Sequence, residues 1–398
     1  MNTQQIIQAD SEVYMNTFGA RIPVAFARGE GTTLYDVEGN AYQDFFAAIA
    51  VCALGYNHPA VTGALVKQAQ SGILSTSNVF YNEPQTKLAK LLVDHTPFDR
   101  VFISNSGTEA VEGALKLARK FFYEKGEDRP QLISALGSFH GRTLAAVAAT
   151  GQAKYQAPYK PLLPESIINI PYNDLAALKA AASNKTFAVL LECIQGEGGI
   201  IPAEMEYLQG VRALCDELGI LLIIDEIQTG MCRTGKFLGF EHYGITPDIV
   251  TLAKGLGGGV PIGAFMAKEE IAAAFHVGDH GTTFGGNPLA CAVAHAVVST
   301  MIEEDIAGKA AATGEYMLGR LSAMAAKKGD IKEIRGCGLL IGIELVEGVT
   351  PASIQKKLLD AGFVTGTAAN NTLRLVPPLT VGKAAIDALL SALEATLS

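Results

Sequence analysis

Short apolar segments alternate with helical segments between residues 100 and 267, and this alternation most constrains the fold. Strands that alternate with helices in this way form a largely parallel sheet with helices on both faces. The sequence therefore predicts an α/β protein built around one such sheet. The predicted strands are residues 100–104, 131–135, 166–170, 187–191, 220–224, 248–252 and 262–267.

The pattern changes on both sides of this sheet, which predicts a second, smaller domain. Residues 31–40 have the form of a β-hairpin, and a long helical stretch, 288–328, precedes two strands, 339–345 and 373–376. A chain of 398 residues is long enough for two domains. The predicted division is an N-terminal segment 1–55 that joins the small domain, a large ligand-binding domain 56–295, and a small α+β domain 296–398.

The composition argues against several classes of function. The net charge is −9, and an acidic protein is a poor partner for nucleic acid. No apolar stretch reaches about 18 residues and the N-terminus lacks the features of a signal peptide, so no membrane partner is expected. The six cysteines are scattered, and the seven histidines lack the spacing of metal ligands. We expect a cytoplasmic protein without a metal site.

Two predicted strands end in ionisable side chains. The apolar run 221–224 ends in Asp225, and the run 249–253 ends in Lys254, which a glycine-rich segment follows. Ligands bind at the carboxyl ends of the strands in open α/β sheets, where side chains emerge from the buried sheet. The acid and the amine are therefore the first candidates for a cofactor site.

A candidate phosphate site lies between the first strand of this series and the next helix. Ser106 and Glu109 are in capping-box register around Gly107, and the free N–H groups of a helix N-terminus favour a phosphate. Residues 230–236 offer a rival site, because they match the first seven positions of the P-loop pattern. Phe237 stands where that pattern needs a hydroxyl for magnesium, so nucleotide binding is the weaker alternative.

Two arginines are candidates for carboxylate binding. Arg142 follows Phe139, whose ring offers a face for stacking, and a guanidinium binds a carboxylate through two hydrogen bonds. Arg374 lies within an apolar run, and a buried arginine needs an acidic partner. We predict that Glu197, on the glycine-rich loop 196–199, is that partner; a separate structural partner for each residue is the alternative.

Together these motifs resemble the class III, or ornithine-type, aminotransferases, which use pyridoxal 5′-phosphate (PLP), and most closely the acetylornithine aminotransferases. The resemblance covers almost the whole chain. It implies the type I fold of PLP-dependent transferases, with a large domain on a mostly parallel sheet and a smaller α+β domain. The segments that carry it are residues 57–59, 77–85, 105–110, 139–143, 195–199, 225–230, 254–261 and 280–288.

The resemblance also implies a role for each candidate in the cofactor site. Lys254 forms the covalent bond to the cofactor aldehyde and moves the proton, and Asp225 faces the ring nitrogen. The other implied cofactor contacts are Gly107 and Thr108 at the phosphate, Phe139 stacked on the ring, Gln228 at the ring hydroxyl, and Thr283 of the partner subunit at the phosphate.

The implied reaction transfers the terminal amino group of N2-acetyl-L-ornithine to 2-oxoglutarate, as in arginine biosynthesis, within a homodimer that shares its two active sites. Arg142 binds the α-carboxylate, and Thr282 of the partner subunit lies near the substrate. Glu197 masks Arg374 in one half-reaction and exposes it in the other. Aminotransferase activity on ornithine, 4-aminobutyrate or succinyldiaminopimelate is the alternative within the family.

Overall fold

The computed structural model describes residues 1–19 and 21–398. Its strands are, in chain order, β1 (Phe26–Glu30), β2 (Thr33–Asp36), β3 (Ala41–Asp44), β4 (Arg100–Ser104), β5 (Gln131–Ala135), β6 (Ile167–Ile170), β7 (Thr186–Glu192), β8 (Ile194–Gln195), β9 (Ile201–Pro202), β10 (Leu221–Asp225), β11 (Ile249–Leu252), β12 (Gly263–Ala267), β13 (Ile331–Cys337), β14 (Leu340–Leu345), β15 (Phe363–Val364), β16 (Gly366–Ala368) and β17 (Thr372–Leu375). Its α-helices are α1 (Thr3–Val13), α2 (Ala47–Ala50), α3 (Pro59–Gln70), α4 (Glu83–Asp94), α5 (Gly107–Glu124), α6 (Leu144–Ala149), α7 (Ala153–Gln156), α8 (Leu175–Ala181), α9 (Met205–Leu218), α10 (Glu269–Ala272), α11 (Pro288–Glu303), α12 (Ile306–Ala325), α13 (Pro351–Asp360) and α14 (Lys383–Thr396). Short 3₁₀ helices cover Ala157–Leu162, Gly239–Tyr243 and Lys254–Leu256.

The predicted central sheet has seven strands in the order β4-β12-β11-β10-β7-β5-β6. Each of these strands begins and ends within one residue of its predicted bounds. Neighbouring strands are parallel except at β12, which is antiparallel to both β4 and β11. The connection from β11 to β12 is shorter than the roughly dozen residues that a parallel crossover needs, so the chain turns back. The prediction of a mostly parallel sheet is confirmed.

The middle of this sheet is buried on both faces. In β10, Leu222 and Ile224 pack into one apolar core, and Leu221 and Ile223 pack into another on the opposite face. The alternation arises because successive side chains of a strand point to opposite faces. Each fully buried aliphatic side chain contributes about 1.5–3 kcal/mol. This burial holds the end of β10 rigidly at the edge of the sheet.

The N-terminal segment and the C-terminal part of the chain share a sheet, with the order β1-β2-β3-β15. Strand β15 pairs in parallel with β3, and Phe363 lies beside Gln43. A separate antiparallel sheet has the order β13-β14-β17-β16. The division into domains stays a prediction. Because α11 runs through residue 295 and packs on α3 and α4, we propose that the second boundary lies between α11 and α12.

The structure also contains elements that the sequence patterns did not predict. Helix α1 forms near the N-terminus, where the side chains of Asn2 and Gln5 each accept a hydrogen bond from the other residue's backbone N–H. The predicted helical stretch 288–328 is two helices, because Asp305 adopts a φ of 48° and its carboxylate caps α12 at the Gly308 N–H. Within the described ranges, no helix is both long and apolar enough to cross a membrane.

Candidate active site

A cavity of about 480 Å³ opens where β7, β10 and β11 end, beside the first turn of α5. Because these strands are parallel, their carboxyl ends meet at one edge of the sheet. Arg374 and Thr282 each contact a residue of the cavity wall, and Thr283 lies outside the wall of the same chain. The predicted site residues that line the cavity are Gly107, Thr108, Phe139, Arg142, Glu197, Asp225, Gln228 and Lys254.

Asp225 is held in place on both oxygens. Its Oδ2 lies 2.8 Å from Nδ1 of His140, and its Oδ1 accepts hydrogen bonds from the Thr251 hydroxyl at 3.2 Å and the Ile227 N–H at 3.0 Å. The carboxylate is only 3 % exposed. Sequence reasoning gave His140 no role, although it stands between Phe139 and Arg142 in a motif that was singled out. The arrangement presents a fixed negative charge to the cavity.

Lys254 begins the turn that follows β11. Its φ of 42° lies in the left-handed region, which costs a non-glycine residue about 1–3 kcal/mol and is typical of functional sites. Burial lowers the pKa of Lys254, while the negative charge of Glu197 acts in the opposite direction. A lowered pKa increases the unprotonated fraction of the amine, which a nucleophile or a base requires.

The first turn of α5 faces the cavity. The Ser106 hydroxyl accepts a hydrogen bond from the Glu109 N–H at 3.3 Å, as predicted. The Glu109 carboxylate, however, accepts from the Asn105 N–H at 2.7 Å rather than from Ser106, so the capping box is shifted by one residue. A Cβ on Gly107 would lie 2.8 Å from Cδ1 of Ile227, so a larger residue here would require the Ile227 side chain to shift. The N–H groups of this turn have no partner within the helix and can bind an anion.

Glu197 and Arg374 form an ion pair, as the sequence predicted. Arg374 is 3 % exposed and stands on β17, so the pair joins the loop after β7 to the C-terminal sheet. Burial acts to raise the pKa of Glu197, but the charge of Arg374 holds this pKa below its ordinary value. Gln228 Nε2 lies 3.5 Å from the same carboxylate, and its Oε1 is buried with no hydrogen-bond partner among the described residues.

Thr282 and Thr283 are on a loop that does not itself line the cavity, although Thr282 contacts Asn105, which does. The Thr282 hydroxyl accepts hydrogen bonds from Asn105 Nδ2 at 3.2 Å and from the Gly285 N–H at 3.1 Å. Thr283 is exposed. Their predicted contribution to the site of a partner subunit stays a prediction.

The rival P-loop segment has a different geometry from a phosphate loop. Arg233, at its centre, is 2 % exposed and donates to the carbonyls of Leu339 at 3.0 Å and Pro377 at 2.6 Å. The segment leads into the 3₁₀ helix Gly239–Tyr243 rather than into the N-terminus of an α-helix. It therefore lacks the helix dipole and free N–H groups that bind a nucleotide phosphate.

Glu192 is a second buried carboxyl group of the cavity, and sequence reasoning did not assign it to the site. It lies beside Asp225 in the register of β7 and β10. Its two oxygens accept hydrogen bonds from the N–H groups of Phe139 and Gly196, both at 3.1 Å. Burial raises the pKa of Glu192 from its ordinary value of 4.5 to about 7. Its location was not apparent because the pairing of β7 with β10 is a tertiary contact.

The raised pKa of Glu192 predicts a pH dependence of stability. The favourable contribution is complete below pH 4.5 and decreases as the pH rises to about 7, because the folded chain must then ionise a buried carboxyl group. From pH 5 to pH 8, we expect the cofactor-free wild type to lose roughly 2–3 kcal/mol more unfolding free energy than Glu192→Gln. Urea titrations of both proteins test this. Parallel pH profiles would contradict it.

Comparison with known proteins assigns the family. The family model described as aminotransferase class-III matches residues 14–397. Acetylornithine aminotransferase of Methanocaldococcus jannaschii is 47 % identical over 99 % of this chain and 98 % of its own length. That of Methanothermobacter thermautotrophicus is 44 % identical, with both chains covered in full.

Solved structures of the same family share the fold. The ornithine aminotransferase of Toxoplasma gondii superposes with a TM-score of 0.95 at 33 % identity, covering 100 % of this chain and 96 % of its own. An acetylornithine aminotransferase from Elizabethkingia anophelis superposes with a TM-score of 0.88 at 33 % identity, covering 100 % and 99 %. Both the sequence and the fold therefore show that this chain belongs to the class III aminotransferases, which use PLP.

Proposed function

We propose that this chain transfers the terminal amino group of N2-acetyl-L-ornithine to 2-oxoglutarate, giving N-acetyl-L-glutamate 5-semialdehyde and L-glutamate. The observation that carries the proposal is the placement of Lys254, Asp225 and the Glu197–Arg374 pair around one cavity. Relatives of full length at 44–47 % identity that bear the name acetylornithine aminotransferase support this choice of substrate.

The residues of the cavity fit PLP. The N–H groups of Gly107 and Thr108 suit its phosphate, and the ring of Phe139 suits its aromatic face. The buried Oε1 of Gln228, which has no partner among the described residues, suits its ring hydroxyl. When bound, PLP supplies an aldehyde that accepts the amino group and a ring that withdraws electrons. Lys254 and Asp225 are the residues that would act on these two parts.

Lys254, Asp225 and the two residues that hold Asp225 have different roles in the reaction. Nζ of Lys254 would take the proton from the substrate carbon that carries the amino group and would deliver it to the former aldehyde carbon of the bound cofactor. Asp225 would place a negative charge at the ring nitrogen, where an opposite charge typically favours the protonated form by about 1–3 pKa units. His140 and Thr251 keep that carboxylate from turning away.

The Glu197–Arg374 pair would let one site accept two different substrates. With acetylornithine, whose reacting end carries no carboxylate, Glu197 neutralises Arg374, so that end meets no unpaired charge. With 2-oxoglutarate, a second carboxylate competes for the guanidinium, and Glu197 releases it. Arg142 would hold the carboxylate that both substrates present at the other end.

This switch predicts that removing Arg374 lowers the catalytic efficiency mainly in the half-reaction with 2-oxoglutarate. In Arg374→Leu, we expect kcat/KM for 2-oxoglutarate to decrease about 100-fold, because a charge-assisted hydrogen-bond pair is removed. The acetylornithine half-reaction should change less than about tenfold. Single-turnover measurements of each half-reaction provide the test. Glu197→Gln combined with Arg374→Leu controls for the unpaired buried carboxylate, and equal losses in both half-reactions would exclude the switch.

The choice of substrate is tested by comparing specificity constants. Acetylornithine, ornithine, succinyldiaminopimelate and 4-aminobutyrate are each supplied with 2-oxoglutarate, and acetylornithine is expected to have the largest kcat/KM. A larger value for ornithine or 4-aminobutyrate would overturn the substrate while leaving the aminotransferase assignment intact. A larger value for succinyldiaminopimelate would indicate a site adapted to a bulkier acyl group.

We further propose that the enzyme is a cytoplasmic homodimer with shared active sites. The loop that carries Thr282 and Thr283 also exposes Phe284, and Asn78, which bonds to this loop, precedes the exposed Phe80 and Tyr81. Exposed aromatic side chains on two linked segments are typical of a protein interface. All six cysteines are unpaired, which suits a reducing compartment. A sedimentation mass of one chain would contradict the dimer.

A further inference from the structure

Tyr155 contacts two residues of the proposed active site without lining the cavity itself. Its ring centroid lies 3.9 Å from the guanidinium carbon of Arg142. The same ring packs edge-to-face on Phe139, with 6.0 Å between centroids and an angle of 83°. Tyr155 therefore joins the residue proposed to stack on the cofactor to the residue proposed to bind the substrate carboxylate.

The segment that carries Tyr155 is tied to the protein on both sides. Before the tyrosine, Gln152 Nε2 donates to the Ser138 carbonyl at 3.0 Å. After it, Gln156 Nε2 lies within 3.0 Å of three acceptors, which are the carbonyls of Ala148 and Thr150 and the side-chain oxygen of Asn169. These hydrogen bonds from the two side-chain amides hold the four-residue helix α7 against the neighbouring backbone. The ring is thus a fixed platform rather than a mobile surface side chain.

Arg142, by contrast, needs such a platform. Its side chain is exposed, and within the described residues it has no ion pair with an acidic side chain. A long unpaired side chain loses up to about 2 kcal/mol of rotamer freedom when it is ordered. A guanidinium that stacks by its face leaves its N–H edges free for two parallel bonds to a carboxylate. Stacking on Tyr155 provides this order before the substrate arrives.

We propose that Tyr155 is a positioning residue that orients Arg142 and so sets the affinity of the site for carboxylates. The inference rests on the proposed function in one respect, namely that Arg142 binds the substrate carboxylate. Tyr155 thereby favours amine donors that carry a carboxylate over otherwise identical amines that lack one. Its hydroxyl has no part in this role, whereas its aromatic face is essential.

Binding of glutarate to the PLP-loaded enzyme tests the proposal without catalysis, because this dicarboxylate has no group that can react. In Tyr155→Leu, we expect calorimetry to show about 5- to 10-fold weaker binding, the effect typical of removing a cation–π contact. Tyr155→Phe keeps the aromatic face and should bind as the wild type does. Tyr159→Leu is the matched control, because Tyr159 is 52 % exposed on the segment that follows. Unchanged binding in Tyr155→Leu would overturn the proposal.

Kinetics separate positioning from a general structural role. For acetylornithine, Tyr155→Leu should raise KM about 5- to 10-fold with little change in kcat. For N-(4-aminobutyl)acetamide, which is acetylornithine without its carboxylate, kcat/KM should stay the same. A role confined to packing under Phe139 would instead lower the rate with both amines, and that result would overturn the proposal.

Arg142→Leu distinguishes a failure of this inference from a failure of the proposed function. We expect this variant to weaken glutarate binding by more than about tenfold, because hydrogen bonds between two charged groups are lost. If Arg142→Leu has no effect, the assignment of Arg142 in the proposed function is wrong. If Arg142→Leu weakens binding but Tyr155→Leu does not, only the role of Tyr155 is wrong.

Discussion

Lys254→Ala is expected to abolish transamination, with a loss of at least about 10⁴-fold, because no other amine can replace both its covalent and its proton-transfer roles. Its place after β11, its left-handed backbone and its lowered pKa all point to one active amine. The measurement is the rate of the acetylornithine half-reaction with purified, PLP-loaded protein. Borohydride treatment followed by peptide mass spectrometry should attach PLP to Lys254 in the wild type and to no lysine of the variant.

The matched control for this prediction is Lys236→Ala. Lys236 is exposed, lies outside the cavity and is the lysine that the rival P-loop pattern would use. We expect this variant to keep full activity and the covalent label at Lys254. Activity that survives in Lys254→Ala, or a label that stays in that variant at the same peptide, would remove the basis of the cofactor assignment.

Asp225→Asn is expected to retain the cofactor but to lose about 10²–10³-fold in the rate of the half-reaction. The neutral amide removes the charge that favours a protonated ring nitrogen, an effect of up to about 3 pKa units or 4 kcal/mol. The amide also keeps the size of the carboxylate, so the contacts with His140 and Thr251 change little in geometry. The PLP content and the rate are measured on the same sample.

Asp248→Asn controls for general damage to the sheet. Asp248 lies at the opposite end of the same strand pair, where its carboxylate accepts a hydrogen bond from the Leu222 N–H at 2.7 Å and pairs with Arg212. We expect this change to lower stability without a comparable loss of turnover. Near-normal turnover in Asp225→Asn, or a similar loss in both variants, would count against an electronic role for Asp225.

Much of the sheet followed from the sequence because its information is local. A buried parallel strand is an uninterrupted apolar run, and each predicted run of the central sheet forms a strand. Asp225 and Lys254 were placed at the ligand edge by the same logic, since each ends such a run. Helix α1 was missed because its sequence is mostly polar and none of its residues is buried.

Contacts between segments that are distant in sequence could not be predicted from local sequence patterns. His140 bonds to Asp225 across 85 residues of sequence, and Glu192 reaches the cavity only because β7 pairs with β10. Tyr155 meets Arg142 because hydrogen bonds from the side-chain amides of Gln152 and Gln156 fix the position of its segment. No local sequence pattern around these residues predicts the contacts that they make.

The sequence alone determined that the chain forms a mostly parallel α/β sheet, that an acid and an amine end two of its strands, and that a buried arginine needs a partner. These conclusions hold because burial periodicity and the cost of an unpaired charge are properties of short segments. The tertiary structure decided which groups meet. The sequence predicted Glu197 as the partner of Arg374 but left open a separate partner for each, and the packing of the loop after β7 against β17, across 177 residues, decided for the pair. Pairing across such a separation depends on the whole fold, because each contact forms only when every element between the two residues is in place.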